Sequence, residues 1–248
     1  MTRIAVSFIS IVFAFFSYAQ PEISHKVYDD LLQKYVDDAG LVNYKGLSSE
    51  RTTLKAYLRM LENNAPTASW SSDQKLAYWI NAYNAFTLEL IMEHYPVTSI
   101  KNIGAAVKIP FVNTPWDVKF INIGEKKYDL NNLEHGIIRK RFEEPRIHFA
   151  LVCAAISCPK LQNRAYLPDQ LDAQLTKAAN EFLANSNKNE FISADKAELS
   201  KLFNWYGGDF KKKTSLIEYL NTYAPMKLNA NARIDWKDYD WSLNEQKD

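Results

Sequence analysis

Apolar residues recur at helical spacing over residues 23–36 (Ile23, Val27, Leu31, Leu32, Tyr35) and 50–62 (Leu54, Tyr57, Leu58, Leu61), which predicts two amphipathic helices. A longer helix opens at Ser72 or Asp73, runs through Leu76, Trp79, Ile80, Tyr83, Phe86, Leu90 and Ile91, and ends before Pro96. Between residues 107 and 128 the pattern changes. Val118, Phe120 and Ile123 are separated from Lys127-Tyr128 by Gly124-Glu125, the mark of a hairpin. Asp129 caps a helix that reaches about Phe142 and is stopped by Glu143-Glu144-Pro145. Residues 146–156 are apolar on both faces, with Ile147, Phe149, Leu151 and Cys153 on one and Ala150, Val152 and Ala154 on the other. That pattern predicts a buried strand. A helix near 169–185, short strands near 190–193 and 197–200, and a helix near 214–223 follow. No repeat or Gly/Ser/Pro-rich linker interrupts the order. The expectation is a single, mostly helical α+β domain over residues 20–248, with a small mixed or antiparallel sheet containing 146–156 as its buried central strand.

Composition narrows the function classes. The 248 residues are 47% hydrophobic and 13% aromatic, with only 7 glycines and 9 prolines, which excludes disordered and collagen-like chains. Thirty basic against 29 acidic residues leave no electrostatic footprint for nucleic acid. The first 19 residues differ in kind. Arg3 precedes an apolar run over residues 4–16, and Ser17 and Ala19 stand at the −3 and −1 positions of a cleavage site. This predicts a secretory signal peptide cut after Ala19, hence an exported, periplasmic or extracellular protein. The run is shorter than the roughly 20 residues a membrane span needs, and no span is expected after its removal. Two cysteines alone, Cys153 and Cys158, are too few for a disulfide scaffold.

Candidate chemistry clusters where polar residues interrupt apolar patterns. Asn81 and Asn84, three apart within YWINAYNA (78–85), share one side of the long helix. They fit either ligand contacts or buried bridges to nearby loops. Glu134 falls inside the stripe of Leu130, Leu133, Ile137 and Ile138, where a carboxylate needs a partner such as Arg139 or Arg146. His135 stands beside it. His148 begins the expected strand. Cys153, five positions on, would point to the opposite face about 16 Å away, a buried and inert thiol. Cys158, followed by Pro159, would cap a short helix, a setting that lowers a thiol pKa. Trp236, Tyr239 and Trp241 could line a groove or close the core. His25, His94 and the Lys211-Lys212-Lys213 run are read as structural or solvated.

YWINAYNA (78–85), LEHGIIR (133–139), RIHFALVCAAISCPKL (146–161), FNWYGGDF (203–210) and DWSLN (240–244) together resemble the family catalogued as domain of unknown function 547. The resemblance implies exported bacterial members and plant members that join this domain to a coiled coil. It brings no established reaction. It does put Asn81, Asn84, Glu134, His135, His148 and Cys158 in the family's characteristic motifs.

Three functions remain. A cysteine-dependent hydrolase or acyltransferase on peptide or cell-wall amide bonds would use Cys158 as nucleophile, His148 as acid/base and Glu134 as orienter, with Asn81, Asn84 and His135 toward the substrate. The histidine precedes the cysteine, unlike papain-like enzymes. A non-catalytic domain would hold a small molecule, a peptide or a protein partner with the same cluster. A metal site of His135, His148, Glu134 and a cysteine lacks any short ligand pair, so neither metal nor cofactor is expected.

Overall fold

Seventeen consecutive residues of one helix, from Leu76 to Met92, are buried, and the rest of the chain is arranged around them. A helix covered on all sides carries little amphipathic contrast, which is why aromatic residues occupy its whole circumference. The computed structural model describes residues 23–104 and 114–247. The expected signal peptide and the first part of the pattern change at residue 107 lie outside the described residues.

The N-terminal part supplies α1 (Lys26–Tyr35), the short α2 (Tyr44–Ser48), α3 (Arg51–Asn63) and the central α4 (Ser72–His94). Ser71 opens α4 through a reciprocal cap with Gln74, one residue before the start read from the sequence. α1 packs on α3, and α3 on α4. Strands β1 (Ile121–Ile123) and β2 (Lys126–Tyr128) form the expected antiparallel hairpin. Gly124, at φ +61°, takes the left-handed turn position that a side chain resists. The Asp129 carboxylate accepts from the Asn132 amide at 2.6 Å and starts a π-helical turn (Asn132–Ile138) that runs into α5 (Arg139–Arg141).

The C-terminal part holds α6 (Leu171–Ala184), β3 (Glu190–Ser193), β4 (Lys196–Ser200), α7 (Leu202–Trp205), α8 (Gly207–Phe210), α9 (Leu216–Tyr223) and β5 (Arg233–Lys237). β3 and β4 pair antiparallel. β5 joins β4 in parallel, with Ala197 opposite Ile234 and Leu199 opposite Trp236. The mixed sheet and the α+β class stand as expected, but α2, α7, α8 and β5 were not anticipated.

The expected central strand at 146–156 is absent. Pro145–Phe149 forms a 3₁₀ turn, opened by the Glu144 carboxylate accepting from the Arg146 amide, because proline at the first position favours a turn. Beyond it, the buried backbone makes a single β-bridge, between Ala155 and Leu243. Apolar residues on both faces report burial, and here the burial comes from helices and side-chain amides rather than from flanking strands.

Two apolar clusters result. The larger surrounds α4. The smaller gathers Phe149, Phe182, Phe203, Phe210, Leu199 and Leu220 between α6, β4 and α7–α9. α6 joins them, placing Leu171 and Leu175 in the first and Ala178, Ala179, Phe182 and Leu183 in the second. The 3₁₀ turn also joins them, with Ile147 in one core and Phe149 in the other. Each buried aromatic or aliphatic side chain contributes roughly 1.5–3 kcal/mol of transfer free energy. His148 therefore sits on a firmly anchored seam.

Candidate active site

At that seam lies a cavity of about 340 Å³ lined by Glu134, His135, His148, Cys153, Cys158 and Tyr206, with aromatic walls from Trp116, Trp205, Tyr239 and Trp241. The walls pack ring against ring: Trp205 with Trp241, Trp116 with Trp241, and Tyr239 with both Trp205 and Trp241. Trp205 is 48% exposed and marks the rim.

The imidazole of His148 is buried, stacked on the Tyr206 ring at 4.0 Å between centroids, and bonded through Nε2 to Asp209 Oδ2 at 2.7 Å. The same oxygen accepts from Arg139 Nε at 2.6 Å. The His148 hydrogen bond first, and then Arg139, hold the Asp209 carboxyl well below the usual carboxylate range despite its partial burial. An ionised carboxylate can only accept, so His148 carries its proton on Nε2 and keeps the lone pair on Nδ1. Burial lowers the imidazole below its usual 6.5, with Asp209 and Glu134 pulling the other way. The neutral form is the resting one near pH 7. Arg139 also donates from Nη1 to His135 Nδ1 at 2.9 Å and lies over the Tyr206 ring at 5.0 Å. Four polar residues thus form one chain, His135–Arg139–Asp209–His148.

Glu134 is buried beside this chain but is not the group that orients His148. Asp209 is. Nor does Glu134 pair with either expected arginine, since Arg139 binds Asp209 and Arg146 binds Glu144. Its carboxylate lies 3.9 Å from His135 Nδ1. It also raises the Tyr206 phenol, adding to the larger effect of burial. Asp209 stands in the FNWYGGDF motif, which marked the segment without singling out the acid.

The asparagines do not reach the cavity. Asn81 donates to the Tyr166 carbonyl at 2.8 Å and accepts from its amide at 2.9 Å. Asn84 donates to the Ala150 carbonyl and accepts from the Val152 amide, both at 2.9 Å. Each amide group satisfies buried backbone that lacks a sheet partner, so a substrate contact for either is corrected to a structural clasp.

Both cysteines line the cavity. No helix begins at Cys158, since the next one is α6, so the expected helix cap is also corrected. Cys158 is 3% exposed. Its sulfur accepts from the Cys153 amide at 2.9 Å and lies 2.7 Å from the Cys153 sulfur. Burial pushes the Cys158 thiol up. Hydrogen bonds from the Cys153 thiol and amide and from Tyr239, together with the nearby Lys188 charge, outweigh it and bring the net shift down. Cys153 is pushed up by its bond to Cys158 and by burial. It is partly exposed, and its sulfur lies 3.4 Å from the Tyr239 hydroxyl. The expected remote, inert thiol is instead a neighbour of the candidate nucleophile. Tyr239 and Trp241 line the site as the groove reading anticipated, whereas Trp236 stands in β5. Among the described residues, no group of three or more His, Cys, Asp or Glu is arranged to hold a metal ion.

The family model described as "Protein of unknown function, DUF547" matches residues 67–183, which supports assignment of the chain to that family. The matched segment carries Glu134, His135, His148, Cys153 and Cys158, while Trp205, Tyr206, Asp209, Tyr239 and Trp241 follow it in the chain. Comparison with curated proteins and with solved structures gave no match.

Proposed function

We propose that the cavity is the active site of a cysteine-dependent hydrolase or acyltransferase acting on amide bonds of peptides or cell-wall material, in an exported protein. One observation carries this reading: a thiol with a lowered pKa and an Asp209-oriented neutral imidazole line the same cavity. In this mechanism Cys158 sulfur attacks the substrate carbonyl, and His148 takes the thiol proton at Nδ1 and returns it to the leaving amine. Water or a second amine then attacks the thioester carbonyl, gives its proton to His148, and releases the acyl group and Cys158. Asp209 keeps the ring's tautomer through both steps. The aromatic walls hold the flanking parts of the substrate, and the Glu134 carboxylate accepts from its donors.

The test is alkylation and turnover of the reduced protein. Iodoacetamide should modify a cavity cysteine without denaturant. Cys158→Ala should lower hydrolysis of a responsive peptide amide by about 10³-fold or more, and His148→Ala comparably. A native, reduced protein in which neither cysteine alkylates would refute the mechanism.

One observation favours a second reading, a ligand-binding domain without turnover: among the described residues no hydrogen bond joins either sulfur to the imidazole. Binding of a ligand unchanged in Cys158→Ala, with no turnover in either form, would select it.

A further inference from the structure

Five positions of extended chain would set two cysteines about 16 Å apart. Here Cys153 and Cys158 face each other with sulfurs 2.7 Å apart. The linker is folded back at Ala154, which adopts φ +57°, a left-handed conformation that a side chain other than glycine's takes at a steric cost. It is held there from outside. The Ala154 carbonyl accepts from the Asn244 amide, and the amides of Ile156 and Ser157 donate to the carbonyls of Ser242 and Asp240. Inside the loop the Cys158 amide donates to the Ala155 carbonyl at 3.0 Å. The separation is about 0.65 Å beyond a covalent S–S bond of about 2.05 Å, so the two sulfurs already stand within reach of each other. Both cysteines line the cavity, and Cys153 is the more exposed of the two, so an external disulfide meets it first.

We propose that Cys153 and Cys158 form a redox modification site, a dithiol that low-molecular-weight disulfides convert reversibly into an intramolecular disulfide. The Cys153 sulfur, after giving its proton to solvent, attacks one sulfur of R–S–S–R. It forms a mixed disulfide and expels the first thiolate, which takes a proton as RSH. Cys158, losing its own proton, attacks the Cys153 sulfur and expels the second thiolate, which is protonated in turn. Two protein thiols and one external disulfide become one protein disulfide and two external thiols. The pair is oxidised, the disulfide is reduced, and excess thiol reverses the exchange. The closed form has no free sulfur in the cavity. This inference needs the geometry of the thiol pair and does not require the acyl chemistry proposed above.

The experiment uses the whole reduced protein and glutathione disulfide. After incubation the sample is denatured in urea with iodoacetamide and no reductant, and its mass is measured. The expected wild-type product has lost two hydrogens and takes up no alkyl group, whereas dithiothreitol before alkylation restores two. Cys158→Ser should instead stop at a stable glutathione adduct on Cys153. Two alkyl groups on the treated wild type, or a wild-type adduct that never closes, would overturn the proposal. Because the readout is mass and involves no substrate, it stands or fails independently of turnover in the reduced protein.

Discussion

Asn84 supplies what a neighbouring strand would otherwise supply to residues 150–152. Its amide donates to the Ala150 carbonyl and accepts from the Val152 amide, and among the described residues no flanking strand bonds to either group. Asn84→Ala should leave both buried groups without partners, each costing about 1–3 kcal/mol. A destabilisation of about 2–4 kcal/mol in urea unfolding is expected, together with looser packing of the loop that carries both thiols. A change under 1 kcal/mol would mean that water or the backbone replaces the clasp. The sequence raised this possibility, since two asparagines among bulky aromatics require partners, but it could not decide between backbone and ligand. The backbone conformation at Ala154 left no trace in the sequence at all, because alanine signals no left-handed turn.

At the scale of elements, one carboxylate oxygen ties three pieces together: α8 through Asp209, α5 through Arg139, and the 3₁₀ turn Pro145–Phe149 through His148. Asp209→Asn should lower the His148 imidazole pKa further, because the hydrogen bond to Asp209 is the largest effect opposing burial, ahead of the Glu134 charge. Histidine NMR titration measures this directly, and an unchanged or higher value would show that Asp209 does not control the ring. The amphipathic helices α1, α3, α6 and α9 were legible because an apolar stripe at 3.6-residue spacing has one physical reading. So was the hairpin, through Gly124. A run apolar on both faces has several readings, and length alone could not separate a strand from a 3₁₀ turn followed by irregular buried backbone. The parallel partner β5 escaped notice for a related reason. Its alternation of Ile234 and Trp236 with charged Arg233, Asp235 and Lys237 fits a solvated segment until β4 is beside it.

For the molecule as a whole, buried histidines set the response to acid. Burial lowers His25, bonded to the Tyr57 hydroxyl at 2.7 Å, from 6.5 to about 4, and His148 shifts in the same direction. Below pH 6.5 the unfolded chain takes up these protons while the folded one does not, so stability falls as pH drops through the window from about 6.5 to 4. By linkage, His25 alone accounts for about 2 kcal/mol between pH 7 and pH 5. Denaturant midpoints at the two pH values check this, and His25→Asn should flatten the difference. Asp209, whose folded pKa is depressed, contributes stability that is lost only at lower pH, below the ordinary carboxylate range. The α+β class and the residues of the cavity floor could be read from the chain, but their meeting place could not. The site forms where two apolar cores share α6 and the 3₁₀ turn, a relationship between distant segments that no local pattern encodes.

The clasp over the thiol loop is drawn from residues 240–244, more than eighty positions after the cysteines it steadies. A polypeptide made from its amino end carries Cys153 and Cys158 for the time needed to add that stretch before anything can fold Ala154 back and bring the sulfurs face to face. A nascent molecule cut short of residues 240–244 would therefore hold both thiols without the hydrogen bonds that hold the loop between them.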